Sequence, residues 1–212
     1  KWTRPGSWLP SPEKALSMVF TFFSLFFLTI SSSAINTGFA TIQHPSGASS
    51  LKAFPFLLTT DSEVVSIRAA GIAGVIVWCC GGLSLVLYCL LKLPSRIEDR
   101  SFRIITLPLT AQWTPERPWW FAVRLLRSLL LSLATSLFPD AEWQIVYMVA
   151  IVTCYAMGLL VFKPYLAPLA AHAEFLSSIG VLAILGTAIP YQATQSGGAI
   201  VEAALFITFA LI

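Results

Sequence analysis

The chain has 212 residues, of which 57% are hydrophobic and 11% charged, with a formal net charge of +3. An ordinary soluble domain carries about 25% charged residues, and so little polar surface cannot cover so much apolar side chain, so the composition excludes such a domain and makes lipid the solvent. The small positive balance lies on the flanks of apolar blocks instead of along a nucleic-acid-binding face, so no nucleic-acid partner is expected.

The apolar residues fall into blocks near the length that a helix needs to cross about 30 Å of hydrocarbon, roughly 20 residues. The expectation is an all-α fold, a polytopic transmembrane helix bundle of about six spans with the last truncated. No methionine opens the chain and it closes inside the 14-residue apolar run Ala199 to Ile212. Residues 1–212 are therefore read as one transmembrane domain, a fragment of a larger protein.

The first span, about 15–36, is Phe-rich (Phe20, Phe22, Phe23, Phe26, Phe27). Its amino-terminal flank holds Trp and Pro instead of the layout of a cleavable signal, so it is read as retained. A polar segment from about Gln43 to Ser66 follows. The second span, 69–91, has no formal charge and stops at Lys92, Pro94, Arg96 and Arg100. Within it Gly71, Gly74, Gly81 and Gly82 offer small surfaces where helices can approach closely.

After a basic connector and the stretch Trp113 to Pro118, the third span covers 119–138. The fourth, 143–162, is joined to it by Pro139-Asp140-Ala141-Glu142, a link short enough to make the two helices antiparallel neighbours. A fifth span is placed at 175–191, and a Gly/Ser-rich turn leads to the sixth, at 199–212.

Cytoplasmic loops collect Lys and Arg. With the amino terminus cytoplasmic, that side holds Lys1, Arg4, Lys14, Lys92, Arg96, Arg100, Arg103, Arg117, Arg124, Arg127 and Lys163, 11 of the 13 basic residues. Trp2, Trp8, Trp113, Trp119, Trp120 and Trp143 lie near span ends, where aromatic rings prefer the headgroup level; Trp78 alone is in mid-span. The expectation is an integral, multi-pass protein with a cytoplasmic amino terminus and anionic lipids against its basic side.

Few residues stand out for chemistry. Arg124 and Arg127 share a helix face, as gating charges do, but only two occur and both are near the start of their span. They are read, with Lys163, Trp119 and Trp120, as lipid-headgroup or anchoring residues that snorkel to the interface. Glu202, about four residues into the sixth span, is the candidate pore or polar intramembrane group, with snorkelling at the outer interface as its alternative. Glu174 opens the fifth span, where an acid meets the positive end of the helix dipole.

His44 and His172 each lack a second ligand at metal spacing. Cys79, Cys80, Cys89 and Cys154 lie in apolar blocks and are read as packing residues. No nucleophile–base pair, catalytic carboxylate pair or phosphate loop occurs at a usable spacing, so no enzyme, cofactor or metal is expected.

From about Arg103 to Ala188 the features follow a recognisable order. Trp113 through Pro118 and Trp119-Trp120 precede Arg124-Leu125-Leu126-Arg127-Ser128-Leu129-Leu130-Leu131; the next span ends at Lys163-Pro164-Tyr165, and Glu174-Phe175-Leu176-Ser177-Ser178 opens another. This order resembles the membrane region of the TRP-like, polycystin-related proteins of fungi and protists. The resemblance covers residues 103–188, with Lys163, Pro164, Tyr165 and Glu174 as its motif. It departs at Ala171, where the family often has Asn three residues before the acid.

The resemblance implies a cation channel or channel-related subunit, in the plasma or ciliary membrane. Two alternatives stand beside it: a non-conducting anchor or structural subunit of a larger membrane or extracellular assembly, and an accessory subunit of an energy-transducing membrane complex. Each implies other membrane subunits or further copies of the chain as partners.

Overall fold

The computed structural model describes residues 11–45, 47–59, 61–96 and 98–196. Among them, five helices are long and apolar enough to cross a bilayer. The chain is an all-α polytopic bundle, and it is an integral membrane protein.

Helix α1 (Pro12–Gly38) starts with Pro in its first turn, where the missing N–H costs nothing, and Glu13 beside it meets the positive dipole end. Its 27 residues reach about 40 Å at 1.5 Å per residue, longer than the hydrocarbon core. At its end a small antiparallel sheet forms, β1 (Thr41–Gln43), β2 (Ser49–Leu51) and β3 (Phe54–Leu58), in the order β1-β2-β3. Gly47, at φ 80°, makes the first turn in a region open to glycine. Leu51 and Val64 are fully buried where the sheet meets the helices.

Helix α2 (Ser62–Gly74), a π-helical segment (Val75–Gly81) and α3 (Gly82–Lys92) run on as one apolar rod. The wide π turns lie between Gly74 and Gly82 and aim Trp78 at Phe23, ring centroids 5.0 Å apart. On the same segment the Cys79 thiol donates to Ser31 Oγ of α1 at 3.3 Å. The small surfaces expected here are used for contact: a Cβ on Gly71 would stand 2.5 Å from the Gly38 nitrogen, and one on Gly82 would enter the Phe23 ring. Lipid tails are as apolar as a protein core, so such close contact, more than transfer from water, holds these helices together.

Helix α4 (Arg100–Thr110) replaces the expected basic connector. Asp99 caps it, accepting from the Ser101 and Phe102 amides, and Phe102, Ile105, Thr106 and Leu109 recur at helical spacing, with Thr106 and Leu109 buried. It packs on α1 and is tied there by Ser101 Oγ donating to Glu13 Oε1 at 2.9 Å.

Helices α5 (Trp120–Leu137), α6 (Ala141–Phe162) and α7 (Pro168–Ser196) complete the bundle. The short Pro139-Asp140 link makes α5 and α6 antiparallel neighbours. α1 is the hub, packing on α2, the π segment, α4 and α5, while α7 packs on α6. The main core lies at the α4 end, around Phe20, Phe27, Leu109, Trp120 and Tyr165; a smaller one joins Ile145, Val149, Val152 and Leu182.

The five expected spans 15–36, 69–91, 119–138, 143–162 and 175–191 correspond to helices that extend further at most ends. The sixth, 199–212, lies outside the described residues, and Glu202 with it.

Candidate functional site

The site is built where two loops meet at the α4 end. Pro164 disfavours a right-handed helical conformation for the residue before it. Lys163 accordingly leaves α6 through the left-handed region, at φ 42° and ψ 59°, where an L side chain costs about 1–2 kcal/mol. The strain is sustained by a backbone bridge between the Trp/Pro stretch and this turn. The Thr114 amide donates to the Pro164 carbonyl at 2.8 Å, and the Leu166 amide donates to the Gln112 carbonyl at 3.0 Å. Trp113 and Tyr165 pair across it with rings 4.6 Å apart. Pro168 then starts α7 at a position that suits it.

The bridge sets the register of α5, α6 and α7 so that three polar residues fall at one depth. Arg127 is seven residues after Trp120, Tyr155 seven before Phe162 and Glu174 six after Pro168, each about 9–11 Å from the same end by helical rise. There the Arg127 guanidinium donates from Nη1 to Glu174 Oε1 at 3.1 Å. The Tyr155 hydroxyl donates to the same oxygen at 3.3 Å, and the guanidinium carbon lies 4.4 Å from the centre of the Tyr155 ring.

Tyr155 thus serves both charges, offering its hydroxyl to the anion and its π face to the cation. Arg127 Nε is buried without a hydrogen-bond partner among the described residues. Trp120 closes the site, its ring against Tyr155 and Phe162 and over Gly158, whose absent side chain makes the room. Burial pushes the Tyr165 phenol up from its ordinary range, reinforced by Tyr155 and Glu174 nearby.

The structure separates residues that the sequence grouped. Arg124 is exposed and reaches Gln112 Oε1 at 3.5 Å, and Trp119 is 41% exposed. Arg127 is corrected from a headgroup anchor to an inward ion pair, its side chain 15% exposed. Trp120 is likewise a core residue, at 2% exposure, because it faces α6 while its neighbour, about 100° around the helix, faces out. Lys163 is exposed, whereas Pro164 and Tyr165 are buried. Glu174 is corrected from a dipole-facing helix start: α7 begins at Pro168, so Glu174 lies in the second turn, beyond the reach of the dipole, and its partners are Arg127 and Tyr155.

Tyr155 was missed by sequence reasoning, although a tyrosine in mid-span is a signal in itself: its hydroxyl needs a partner there. Among the described residues no three His, Cys, Asp or Glu side chains gather as a metal set. His172 Nδ1 engages the Pro168 carbonyl at 2.6 Å, and His44 engages Ser50 at 2.8 Å. What the arrangement can do is mechanical and electrostatic: it ties α5 to α7 across α6 by a charge pair in a low-dielectric layer. No family model, curated protein or solved structure matches the chain.

Proposed function

We propose that this chain is the helical membrane domain of a TRP-like, polycystin-related protein, acting in cation conduction as a channel or a channel-related subunit. One observation carries the reading: residues of the resemblance that are far apart in sequence meet in one site. Trp113 packs its ring against Tyr165, Pro164 accepts from Thr114, and Arg127 pairs with Glu174. Charges inside a membrane persist where they are paired and used. A charge pair between helices has two discrete states, made and broken, and can bias a switch between helix arrangements. In this reading the α4 end is cytoplasmic, the membrane is the plasma or ciliary membrane, and the partners are anionic lipid, other subunits or further copies.

The test is current from the full-length protein in planar bilayers, over a range of voltages and ligands. Cation current whose open probability shifts in Arg127→Gln and Glu174→Gln is the expected result. Folded, reconstituted protein that stays silent throughout overturns it in favour of a non-conducting anchor. A specific observation favours that second reading: Arg127 and Glu174 pair with one another inside the bundle, their side chains 15% and 23% exposed. The anchor reading expects partner subunits on the exposed apolar surface, at residues such as Leu25, Val77 and Leu91, detectable by site-specific crosslinking in the native membrane.

A further inference from the structure

Where α6 ends and α7 begins, a cleft of about 430 Å³ opens at the α4 end of the bundle. Its lower wall is apolar, formed by Leu159 and Leu160 of α6 and Phe175 of α7; its mouth carries Lys163, Tyr165 and His172. No acidic side chain lines it, and Lys163 has no ion pair among the described residues. His172 has its Nδ1 engaged by the Pro168 carbonyl, which leaves Nε2 as the ring atom able to meet a ligand. Lys163 is also the one non-glycine residue with positive φ among those described. Such strain, held by the Trp113–Tyr165 bridge, presents a cation at a position where Gly or Asn would sit more comfortably.

The cleft therefore pairs a cationic mouth with a greasy interior, at the level where a helix leaves hydrocarbon for headgroups. Leu166 also lines the cleft, and it and Leu169 are 64% and 81% exposed. A soluble phosphate would match the mouth but gain nothing from the interior. We propose that this cleft is a site for an anionic phospholipid, its phosphate held at Lys163 and His172 and its upper acyl chain laid along Leu159, Leu160 and Phe175. The site is independent of whether the protein conducts.

The experiment uses the full chain in phosphatidylcholine nanodiscs doped with a phosphatidic acid bearing a diazirine high on its acyl chain, or with the matching phosphatidylcholine probe. Photolysis and peptide mass spectrometry then locate and count the adducts. The anionic probe is expected to label the 159–175 region about fivefold above the zwitterionic one, the scale of one basic side chain's attraction for anionic lipid. Lys163→Asn, which keeps a residue tolerant of the left-handed conformation, abolishes the preference, and Lys163→Arg retains it. Leu160→Glu, at an exposed wall position away from the strained turn, lowers anionic labelling without touching that turn.

Equal labelling by the two probes overturns the proposal, as does an anionic preference that survives both Lys163→Asn and Leu160→Glu. Displacement by excess glycerol phosphate would identify the mouth as a soluble-phosphate site and also overturn the lipid assignment. Labelling that glycerol phosphate leaves unchanged supports it.

Discussion

Breaking the Arg127–Glu174 pair tests the reasoning most directly. At 3.1 Å the Coulomb attraction is about 1 kcal/mol in bulk water and about 5 kcal/mol at an effective dielectric of about 20. The side chains are 15% and 23% exposed, so solvent screens part of this and the expected coupling is about 2–3 kcal/mol. Removing one partner from a fully buried pair costs about 3–5 kcal/mol because a lone charge remains; with partial exposure, Glu174→Gln should cost about 2–4 kcal/mol. Arg127→Met should cost about 1 kcal/mol more, since it also removes the stacking on Tyr155. The double variant, Arg127→Met with Glu174→Leu, leaves no stranded charge and should recover most of the loss, as apolar replacement of buried pairs often does. Reversible unfolding in mixed micelles, followed by tryptophan fluorescence, supplies the cycle with Glu174→Leu as the matching single variant. Additive losses, with coupling under about 0.5 kcal/mol, would mean that the pair is not an energetic tie.

Close helix contact gives a second prediction: Gly71→Ala sets a Cβ 2.5 Å from the Gly38 backbone, must part α1 from α2, and should destabilise by about 1–3 kcal/mol. Gly180→Ala meets nothing within 4 Å and should be neutral or mildly stabilising; equal thermal midpoints for the two variants would refute the packing argument. A third concerns alkali. Burial raises the Tyr165 phenol in the folded chain, so unfolding releases its proton more readily. The stability it contributes is full below the unfolded value of about 10 and declines as pH rises above it. Tyr165→Phe should flatten the fall of unfolding free energy as pH rises above about 10. Unchanged slopes would count against that burial.

The spans were readable because lipid imposes length and apolarity on any helix that crosses it. Their ends were not. The second helix begins at Ser62, through Glu63 and Arg68, because a helix outside hydrocarbon tolerates charge and hydropathy registers the solvent instead of the backbone. α4 escaped for the opposite reason: Arg100, Arg103 and Pro108 give it a polar average, and only the spacing of Phe102, Ile105, Thr106 and Leu109 betrays it. Strands of three to five residues carry too few alternations to stand out in a polar segment. The site was half legible. Arg127 and Glu174 are 47 residues apart, so no local spacing joins them, yet each lies six or seven residues from the same end of its helix. Depth, counted from span ends, was the signal that could have paired them.

That shared depth explains how the bundle is divided. α1 gathers α2, α4 and α5, with polar links such as Thr135 Oγ1 donating to Asn36 Oδ1 at 2.8 Å. α7 instead packs on α6, and its charged link to α5 is Glu174 reaching past Tyr155 to Arg127. The turn that starts α7 is fixed separately, by the Thr114 and Leu166 backbone bonds. Loss of the charge pair therefore removes the polar tie between α7 and α5 while leaving the apolar contacts around Leu131 and Leu182, and α1 with its neighbours, packed. Loss of the backbone bridge instead shifts the register on which the pair depends, so the two perturbations are not equivalent. A variant at Trp113 should weaken the ion pair without touching either charge, whereas a variant at Glu174 should leave the bridge intact.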